Sequence, residues 1–158
     1  MFKPYINKWA SNLKNIRKSN KNDLGRIGEI LVFNYRLYFY PIFKNENYYF
    51  KELQVPGVIK EYESLVDKMF VYDDSIVKGF MQVKGSKLEK LFVEPICHNN
   101  SIGSKLLKYA IEKLCIDHLW VLEKNIKAIS FYERHGFNKT SSKKYEDGTT
   151  EFLVRLER

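Results

Sequence analysis

The sequence is short of cysteine, glycine and proline, and it has no long apolar run. Its two cysteines, Cys97 and Cys115, are too few for a disulfide framework and lack the Cys/His spacing of a zinc site. Eight glycines and four prolines exclude collagen-like and low-complexity chains. No stretch reaches the roughly 18–20 apolar residues of a membrane span, and the N-terminus lacks the apolar stretch of a secretory signal. We therefore expect a cytoplasmic protein with reduced thiols, no bound metal and no membrane partner.

The composition is that of one folded domain with an excess of positive charge. The chain has 158 residues, of which 44% are hydrophobic and 15% aromatic. Lys and Arg number 27 against 19 Asp and Glu, which gives a formal charge of +8. Such a charge attracts anions, including nucleic acids and phosphorylated cofactors. Nucleic-acid binding is not favoured, because the basic residues are scattered and no recognition-helix or base-stacking pattern is present.

The first 14 residues are expected to form an extension, and residues 15–158 a single domain. Apolar residues recur in the extension at three- and four-residue steps, which predicts an amphipathic accessory helix. These residues are Phe2, Tyr5, Ile6, Trp9 and Leu13. A helix lying on a membrane surface is the alternative, but Pro4 and Asn12 weaken it.

A short strand over residues 15–18 and two helical patterns come first in the predicted domain. One helix is predicted to begin near Asp23, after turn and cap residues, and to end at Pro41, because proline cannot continue a helix. A second helical pattern runs through Val58, Tyr62, Leu65, Val66 and Met69.

The apolar period then changes from about 3.6 to about 2 residues, which indicates strands. Two strands around the turn residues 73–75 form a hairpin, and residues 88–93 form a third strand. In this third strand Leu88 falls on one face, whereas Leu91 and Val93 fall on the other. A β-bulge around Glu89 and Lys90 is one explanation for the change of phase.

The rest of the chain alternates helices and strands. A helix from Ile102, a strand over residues 119–122, a helix ending near a Gly136 cap and two final strands are predicted. The complete order is strand, two helices, three strands, helix, strand, helix and two strands. It predicts an α/β (α+β) fold with a mixed sheet and helices on both faces.

The third strand runs into a polar loop that opens a helix. The loop reads His98, Asn99, Asn100, Ser101, Ile102, Gly103 and Ser104. Free amides at such a helix start, together with the helix dipole, bind phosphate oxygens. Lys105 and Lys108 are expected to add positive charge nearby. The alternative is an ordinary loop with an N-cap.

A second segment, residues 119–137, bears on the choice between a phosphate-binding loop and an ordinary loop. Taken alone, Asn125 is most simply an N-cap, and Phe131 and Tyr132 are core aromatics. Together the two segments resemble the GNAT superfamily of acetyl-CoA-dependent N-acetyltransferases. The matching residues are Leu91-Phe92-Val93-Glu94-Pro95, Ile102-Gly103-Ser104-Lys105-Leu106-Leu107, and the spacing of Asn125, Ala128, Phe131, Tyr132, Gly136 and Phe137.

The resemblance covers roughly residues 15–158 and implies a GNAT-like, mostly antiparallel mixed sheet flanked by helices. It implies acetyl-CoA (coenzyme A) as the cofactor and acetyl transfer to an amine. Where the family usually has Gln or Arg and two glycines, this chain has His98, Asn99 and Ser101, and it keeps Gly103. The backbone amides remain whatever the side chain, although a positive φ is tolerated better by Asn99 than by Ser101.

Specific roles follow from the resemblance. The amides of residues 98–104 would hold the pyrophosphate of coenzyme A, and its pantetheine arm would pair along Leu91, Phe92 and Val93. The bulge would splay the strand and free an amide for the thioester carbonyl. Asn125 would bond the pantetheine arm. Tyr132 would protonate the leaving thiolate, since a Tyr pKa of about 10 keeps the hydroxyl protonated at neutral pH.

The general base is less sharply defined by the sequence. Glu89 lies on the third strand, where relatives often carry a catalytic carboxylate, although by register Lys87 is the nearer position. Deprotonation through water is equally consistent, and Glu123 and His98 are weaker candidates. Cys97 lacks an evident His and acid partner, which disfavours a covalent acyl-enzyme.

By the resemblance, the first two helices and their connection shape the acceptor pocket. Aromatic and basic residues crowd this stretch, where they form either pocket walls or a filled core. They are Phe33, Tyr35, Arg36, Tyr38, Tyr40, Phe43, Tyr48, Tyr49 and Phe50. The positive charge disfavours polyamines and favours a small primary amine, an amino-acid derivative or a peptide amine. A non-catalytic acyl-CoA-binding or sensing module is the alternative function, and the chain admits a homodimer.

Overall fold

The computed structural model describes residues 13–158 as one seven-stranded sheet with helices on both faces. The accessory helix was expected over residues 1–14, and residues 1–12 of this segment lie outside the described residues. The strands are β1 (Ile16–Lys18), β2 (Met69–Asp73), β3 (Val77–Lys84), β4 (Lys87–Val93), β5 (His118–Leu122), β6 (Asn138–Tyr145) and β7 (Phe152–Glu157). The α-helices are α1 (Leu24–Asn34), α2 (Tyr40–Phe43), α3 (Val55–Tyr62), α4 (Ile102–Leu114) and α5 (Ile126–Arg134).

The sheet has the order β1-β2-β3-β4-β5-β7-β6. Neighbouring strands are antiparallel except β4 and β5, which are parallel. The predicted fold class, a mixed and mostly antiparallel sheet with helices on both faces, is confirmed. The single parallel pair lies at the centre of the sheet.

Two of the helical predictions are wrong at their C-terminal ends. The first helix does not end at Pro41, because α1 passes into a π-helical turn, Tyr35–Phe39, and then into α2. Pro41 stands in the first turn of α2, where its missing amide hydrogen has no helical acceptor to lose. The second helix ends at Tyr62 and continues as a 3₁₀ helix, Glu63–Lys68, and Met69 already begins β2.

The sheet carries a separate apolar core on each face. Helices α1 and α3 cover one face through residues such as Ile27, Ile30 and Val58, and α4 covers the other through Leu106 and Leu107. Helix α4 packs closely on the sheet. On β3, a Cβ added at Gly79 would stand 3.1 Å from Leu106 Cδ1 and 3.2 Å from Ile102 Cγ2. This glycine therefore lets the start of α4 lie directly on the sheet.

The start of α1 is fixed to the edge of the sheet by one arginine. Arg17 of β1 donates two hydrogen bonds of 2.8 Å to the Asp23 carboxylate and one of 2.8 Å to Asp73 of β2. Asp23 also accepts the Asn20 amide at 2.8 Å in a capping box. Hydrogen bonds from Arg17 hold the pKa of Asp23 below its ordinary value. Charge-assisted bonds of this kind set the direction in which α1 crosses the sheet.

Candidate active site

The two parallel strands separate after a single short stretch of pairing. Lys87 faces His118 and Leu88 faces Leu119, and the register of β4 and β5 goes no further. Beyond this point the two strands line a cleft of about 1370 Å³. Because β4 and β5 both continue without a partner across the gap, their backbone groups on this side are available to another chain-like molecule.

A β-bulge stands at the point where the cleft begins. On β3, Gln82 pairs with Lys90 while Val83 pairs with Leu88, so Glu89 has no partner. The predicted bulge is confirmed, with Glu89 as the inserted residue. It also explains the lost phase, because Leu88 and Leu91 both pack into the α4 face of the sheet.

Nearly all of the predicted site residues meet in this cleft. Those lining it are Glu89, Leu91, Phe92, Val93, His98, Asn99, Ser101, Ile102, Gly103, Ser104, Asn125 and Tyr132. Asn100 is the exception, since it is exposed and does not line the cleft. We call the part formed by residues 98–104 with Asn125 and Tyr132 the loop end.

The loop between β4 and α4 presents a run of uncommitted backbone amides. Within residues 13–158 no group accepts the amide hydrogens of residues 99–104, and the first helical bond of α4 is Lys105 N–H to Ser101 O at 3.0 Å. The expected set began at residue 98, but the His98 amide donates to Pro95 O at 3.2 Å and is not free. Asn99 has φ 66° and Ser101 has φ 61°, both left-handed. This backbone and the N-terminal dipole of α4 form a concave, positive surface suited to phosphate oxygens.

The positive side chains that line the cleft are not the two lysines expected to lie near this loop. The Lys105 ammonium lies 5.5 Å from the ring centre of Tyr72, and Lys108 pairs with Glu112, so neither lines the cleft. Lys127 and Arg134 of α5 line it instead. They were missed because their helical positions alone do not tell which face of α5 borders the cleft.

The His98 side chain fastens the loop to the end of β4. Its Nε2 donates to Val93 O at 3.0 Å, and its Nδ1 accepts from the Tyr38 hydroxyl at 3.1 Å. This tautomer is required because a carbonyl oxygen can only accept. Asn34 of α1 donates to the same carbonyl at 3.0 Å. With both ring nitrogens engaged, His98 holds the loop in place and has no free nitrogen for a proton transfer.

Asn125 caps α5 and also faces the cleft. Its side-chain oxygen accepts the Ala128 amide at 3.1 Å, which is the N-cap role. Its Nδ2 has no partner within residues 13–158. The cap therefore fixes the side chain while leaving the two N–H donors of Nδ2 free at the loop end.

Tyr132 is a largely buried residue that lines the cleft at the same end. Its side chain packs against the rings of Phe131 and Phe137, and the residue is only 9% exposed. The hydroxyl has no hydrogen-bond partner in the described chain. Burial raises the pKa of Tyr132 above its ordinary value, so the hydroxyl stays protonated at neutral pH.

The two carboxylates considered as the general base, Glu89 and Glu123, lie in different places. Glu89 lies in the cleft, where its carboxylate pairs with Lys87 at 3.0 Å while both side chains stay about a quarter exposed to solvent. Glu123 does not line the cleft and instead bonds Lys143 and Lys139 on β6. Glu89 is therefore the carboxylate candidate that reaches the bulge.

The other end of the cleft is aromatic. Two π-helical turns, Tyr35–Phe39 and Asn47–Glu52, supply most of its wall, and such turns are frequent at functional sites. Lining residues from the predicted stretch are Tyr35, Tyr38, Phe43, Tyr48 and Tyr49, whereas Phe33, Arg36, Tyr40 and Phe50 do not line the cleft. We call the part formed by Tyr35, Tyr48, Tyr49 and the facing Glu146 the aromatic end.

Glu146 reaches the aromatic end from the hairpin between β6 and β7. Burial, followed by charges that include Glu146, raises the pKa of Tyr35 and Tyr48, and that of Tyr49 to about 12. The Glu146 side chain is half-buried and makes no ion pair with the described residues. The sequence did not predict this carboxylate, because only the fold brings the hairpin to the wall.

Two absences bear on the chemistry of residues 13–158. No group of three His, Cys, Asp or Glu side chains is arranged there to hold a metal ion. No helix in this part of the chain is long and apolar enough to cross a membrane.

Comparison with known proteins supports the geometry. A family model described as an acetyltransferase (GNAT) domain matches residues 46–157. The curated protein Peptidyl-lysine N-acetyltransferase YjaB of Salmonella typhimurium is 30% identical over 77 residues, which is 49% of this chain and 53% of that protein. The chain thus matches about half the length of this relative.

Solved structures show the same fold. The apo form of YjaB from Escherichia coli superimposes with a TM-score of 0.70 at 20% identity, over 90% of this chain and 95% of that one. The PaiA N-acetyltransferase of Thermoplasma acidophilum, in complex with coenzyme A, gives a TM-score of 0.64 at 23% identity, over 90% and 98% of the two chains.

Proposed function

Because the chain belongs to the GNAT acetyltransferase family, whose acyl donor is acetyl-CoA, we propose that it transfers an acetyl group from acetyl-CoA to an amine by direct attack. The observation that carries the proposal is the placement of the free loop amides, the splayed β4, the bulge at Glu89 and the Tyr132 hydroxyl around one cleft. Acetyl-CoA supplies the acetyl group as an activated thioester.

The residues of the loop end fit this donor. The amides of residues 99–104 have no competing acceptor and would hold the pyrophosphate. The open edge of β4 at Leu91 and Phe92 would pair with the pantetheine amides, and the free Nδ2 of Asn125 would donate to the same arm. The Val93 carbonyl already accepts from Asn34 and His98. The pantetheine arm would therefore pair mainly with the backbone of Leu91 and Phe92.

Tyr132 and Glu89 divide the proton transfers. The protonated Tyr132 hydroxyl donates to the departing sulfur, and its raised pKa keeps the proton available. Glu89 accepts the proton of the attacking amine at the bulge, directly or through one water molecule. Each such transfer contributes a rate factor of about 10²–10⁴.

The aromatic end supports an alkylammonium acceptor. Tyrosine rings attract cations through their faces, and the unpaired Glu146 carboxylate stands opposite them. A lysine side chain has this chemistry, and the relative YjaB is named for acetylating peptidyl-lysine. We therefore rank a peptide lysine first, followed by small primary amines.

Calorimetric titration of the purified protein with acetyl-CoA, followed by assay of thiol release, tests the function. The acceptors are a lysine peptide, a lysine-free peptide with a free N-terminus, and an alkylamine. We expect one-to-one binding and turnover with the lysine peptide. Absence of binding at millimolar acetyl-CoA would contradict the proposal.

Tyr132→Phe distinguishes an enzyme from a sensing module. The variant should bind acetyl-CoA normally and lose about 10²-fold or more in kcat, because only the proton donor is removed. Tyr109→Phe is the matched control, since Tyr109 packs against Phe70 away from the cleft. Equal turnover in wild type and Tyr132→Phe would exclude Tyr132 as the general acid.

A further inference from the structure

Lys90 is a lysine of β4 whose surroundings are unusual. It follows the bulge directly, lines the cleft and is half-buried. Its ammonium lies 5.4 Å from the ring centre of Tyr62 on the α3 face of the sheet. Within residues 13–158 it forms no ion pair.

Three other lysines line the cleft and differ from it. Lys87, on the same strand, pairs with Glu89 at 3.0 Å. Lys127 and Lys144 are exposed, and their ammonium groups lie over the rings of Tyr38 and Trp120. Only Lys90 among these four is both partly buried and without a carboxylate partner.

The direction of the donor in the cleft brings its reactive end to Lys90. The proposed pyrophosphate site at residues 99–104 lies beyond the C-terminal end of β4, and the pantetheine arm would run from there back along Phe92 and Leu91. An added strand lies about 4.8 Å from its neighbour. Beyond Leu91 the arm therefore ends beside the bulge, within reach of the flexible four-carbon stem of Lys90.

We propose that Lys90 is a modification site whose ε-amine is acetylated by acetyl-CoA bound in the protein's own cleft. This inference rests on the proposed function, because it needs the donor site. The neutral Nζ attacks the thioester carbon, a C–N bond forms and the C–S bond breaks. Coenzyme A leaves as a thiolate and takes up a proton at sulfur, while Nζ gives its proton to Glu89 or water. The product is a neutral acetyl-lysine beside the aromatic end.

The charges around Lys90 act in both directions. Burial lowers the pKa of Lys90, and Lys87 lowers it further. Glu61 from α3, Glu89 from β4 and Glu146 from the β6–β7 hairpin raise it. The uncharged Gln82 pairs with Lys90 from β3, and its side-chain oxygen is buried without a partner. Burial prevails, so a larger fraction of this amine is neutral and nucleophilic than of an ordinary lysine.

The test incubates the full chain with acetyl-CoA in the absence of an acceptor and maps acetylated lysines by mass spectrometry over time. We expect acetylation of Lys90 at least tenfold faster than of Lys87, Lys127 or Lys144, with a rate that rises with pH. Excess coenzyme A should suppress the Lys90 product, because it occupies the same cleft, while leaving background acetylation of exposed lysines unchanged. Lys90→Arg and Lys90→Met should lack the fast product, and Lys87→Arg should retain it.

The possible results distinguish this inference from the proposed function. Calorimetric binding of acetyl-CoA without preferential Lys90 acetylation would overturn the modification site and leave the transferase proposal standing. Failure to bind acetyl-CoA would overturn both. Equal labelling of all exposed lysines, insensitive to coenzyme A, would show ordinary solution chemistry and likewise overturn the inference.

Discussion

At the loop end of the cleft most polar groups that face inward belong to the backbone, whereas at the aromatic end they belong to side chains. The loop end offers the amides of residues 99–104 and the open edge of β4. The aromatic end offers tyrosine rings and the Glu146 carboxylate, carried by two π-helical turns and a hairpin.

This difference determines how each end responds to sequence change. A backbone amide persists through any substitution except proline, so the loop keeps its donors although His98 and Ser101 replace residues usual in the family. A side-chain site changes with every substitution. The donor is therefore expected to be shared with the family, and the acceptor to be specific to this chain.

Among the variants that probe the two ends of the cleft, Glu89→Gln should have the largest effect on kcat, since Glu89 lies at the bulge between the two ends. Removing its proton acceptor should lower kcat by about 10²-fold at neutral pH and leave the affinity for acetyl-CoA unchanged. Steady-state kinetics at saturating acetyl-CoA measures the effect, because a lower kcat with unchanged donor affinity is the signature of a lost catalytic group.

Glu61→Gln is the matched control for that substitution. The charge of Glu61 raises the pKa of Lys90, as that of Glu89 does. Glu61 is, however, exposed on α3 and does not line the cleft. Its kinetics should equal those of the wild type. An unchanged kcat in Glu89→Gln would favour a water-relayed loss of the proton to solvent.

Glu146→Gln probes the aromatic end alone. Loss of one ion pair with an ammonium should raise KM for a lysine peptide about tenfold, equivalent to about 1.4 kcal/mol, with acetyl-CoA binding unchanged. Asp147→Asn, the exposed neighbour, should have a smaller effect. A KM for the peptide that does not move in Glu146→Gln would contradict the acceptor assignment.

The same comparison explains what the sequence could predict. The order of helices and strands along the chain and the bulge at Glu89 depend on local apolar periodicity, and they were predicted. The convergence of Tyr132 and Asn125 on the loop was implied only by the resemblance to the GNAT family. The π-helical turns were not predicted, since their residues keep an α-like apolar step. Glu146 and Lys90 were missed because a hairpin far along the chain and the end of α3 create their surroundings.

Ser101→Gly is expected to have the smallest effect and tests the backbone argument most directly. Ser101 is held at φ 61°, a conformation that costs a residue with a Cβ about 1–2 kcal/mol. Glycine removes this cost but loses about 0.5–1 kcal/mol of entropy on folding, so a net stabilisation of about 0.5–1 kcal/mol should appear in denaturant unfolding. Acetyl-CoA affinity should not fall, since the Ser101 hydroxyl has no partner within residues 13–158.

Ser75→Gly separates strain from function in that experiment. Ser75 has φ 93° in the turn between β2 and β3, outside the cleft. Both variants should gain stability by the same mechanism, and neither should weaken donor binding. A Ser101→Gly variant that is more stable but binds acetyl-CoA poorly would mean that the serine side chain, and not the loop backbone, holds the donor, which would remove the contrast between the two ends of the cleft.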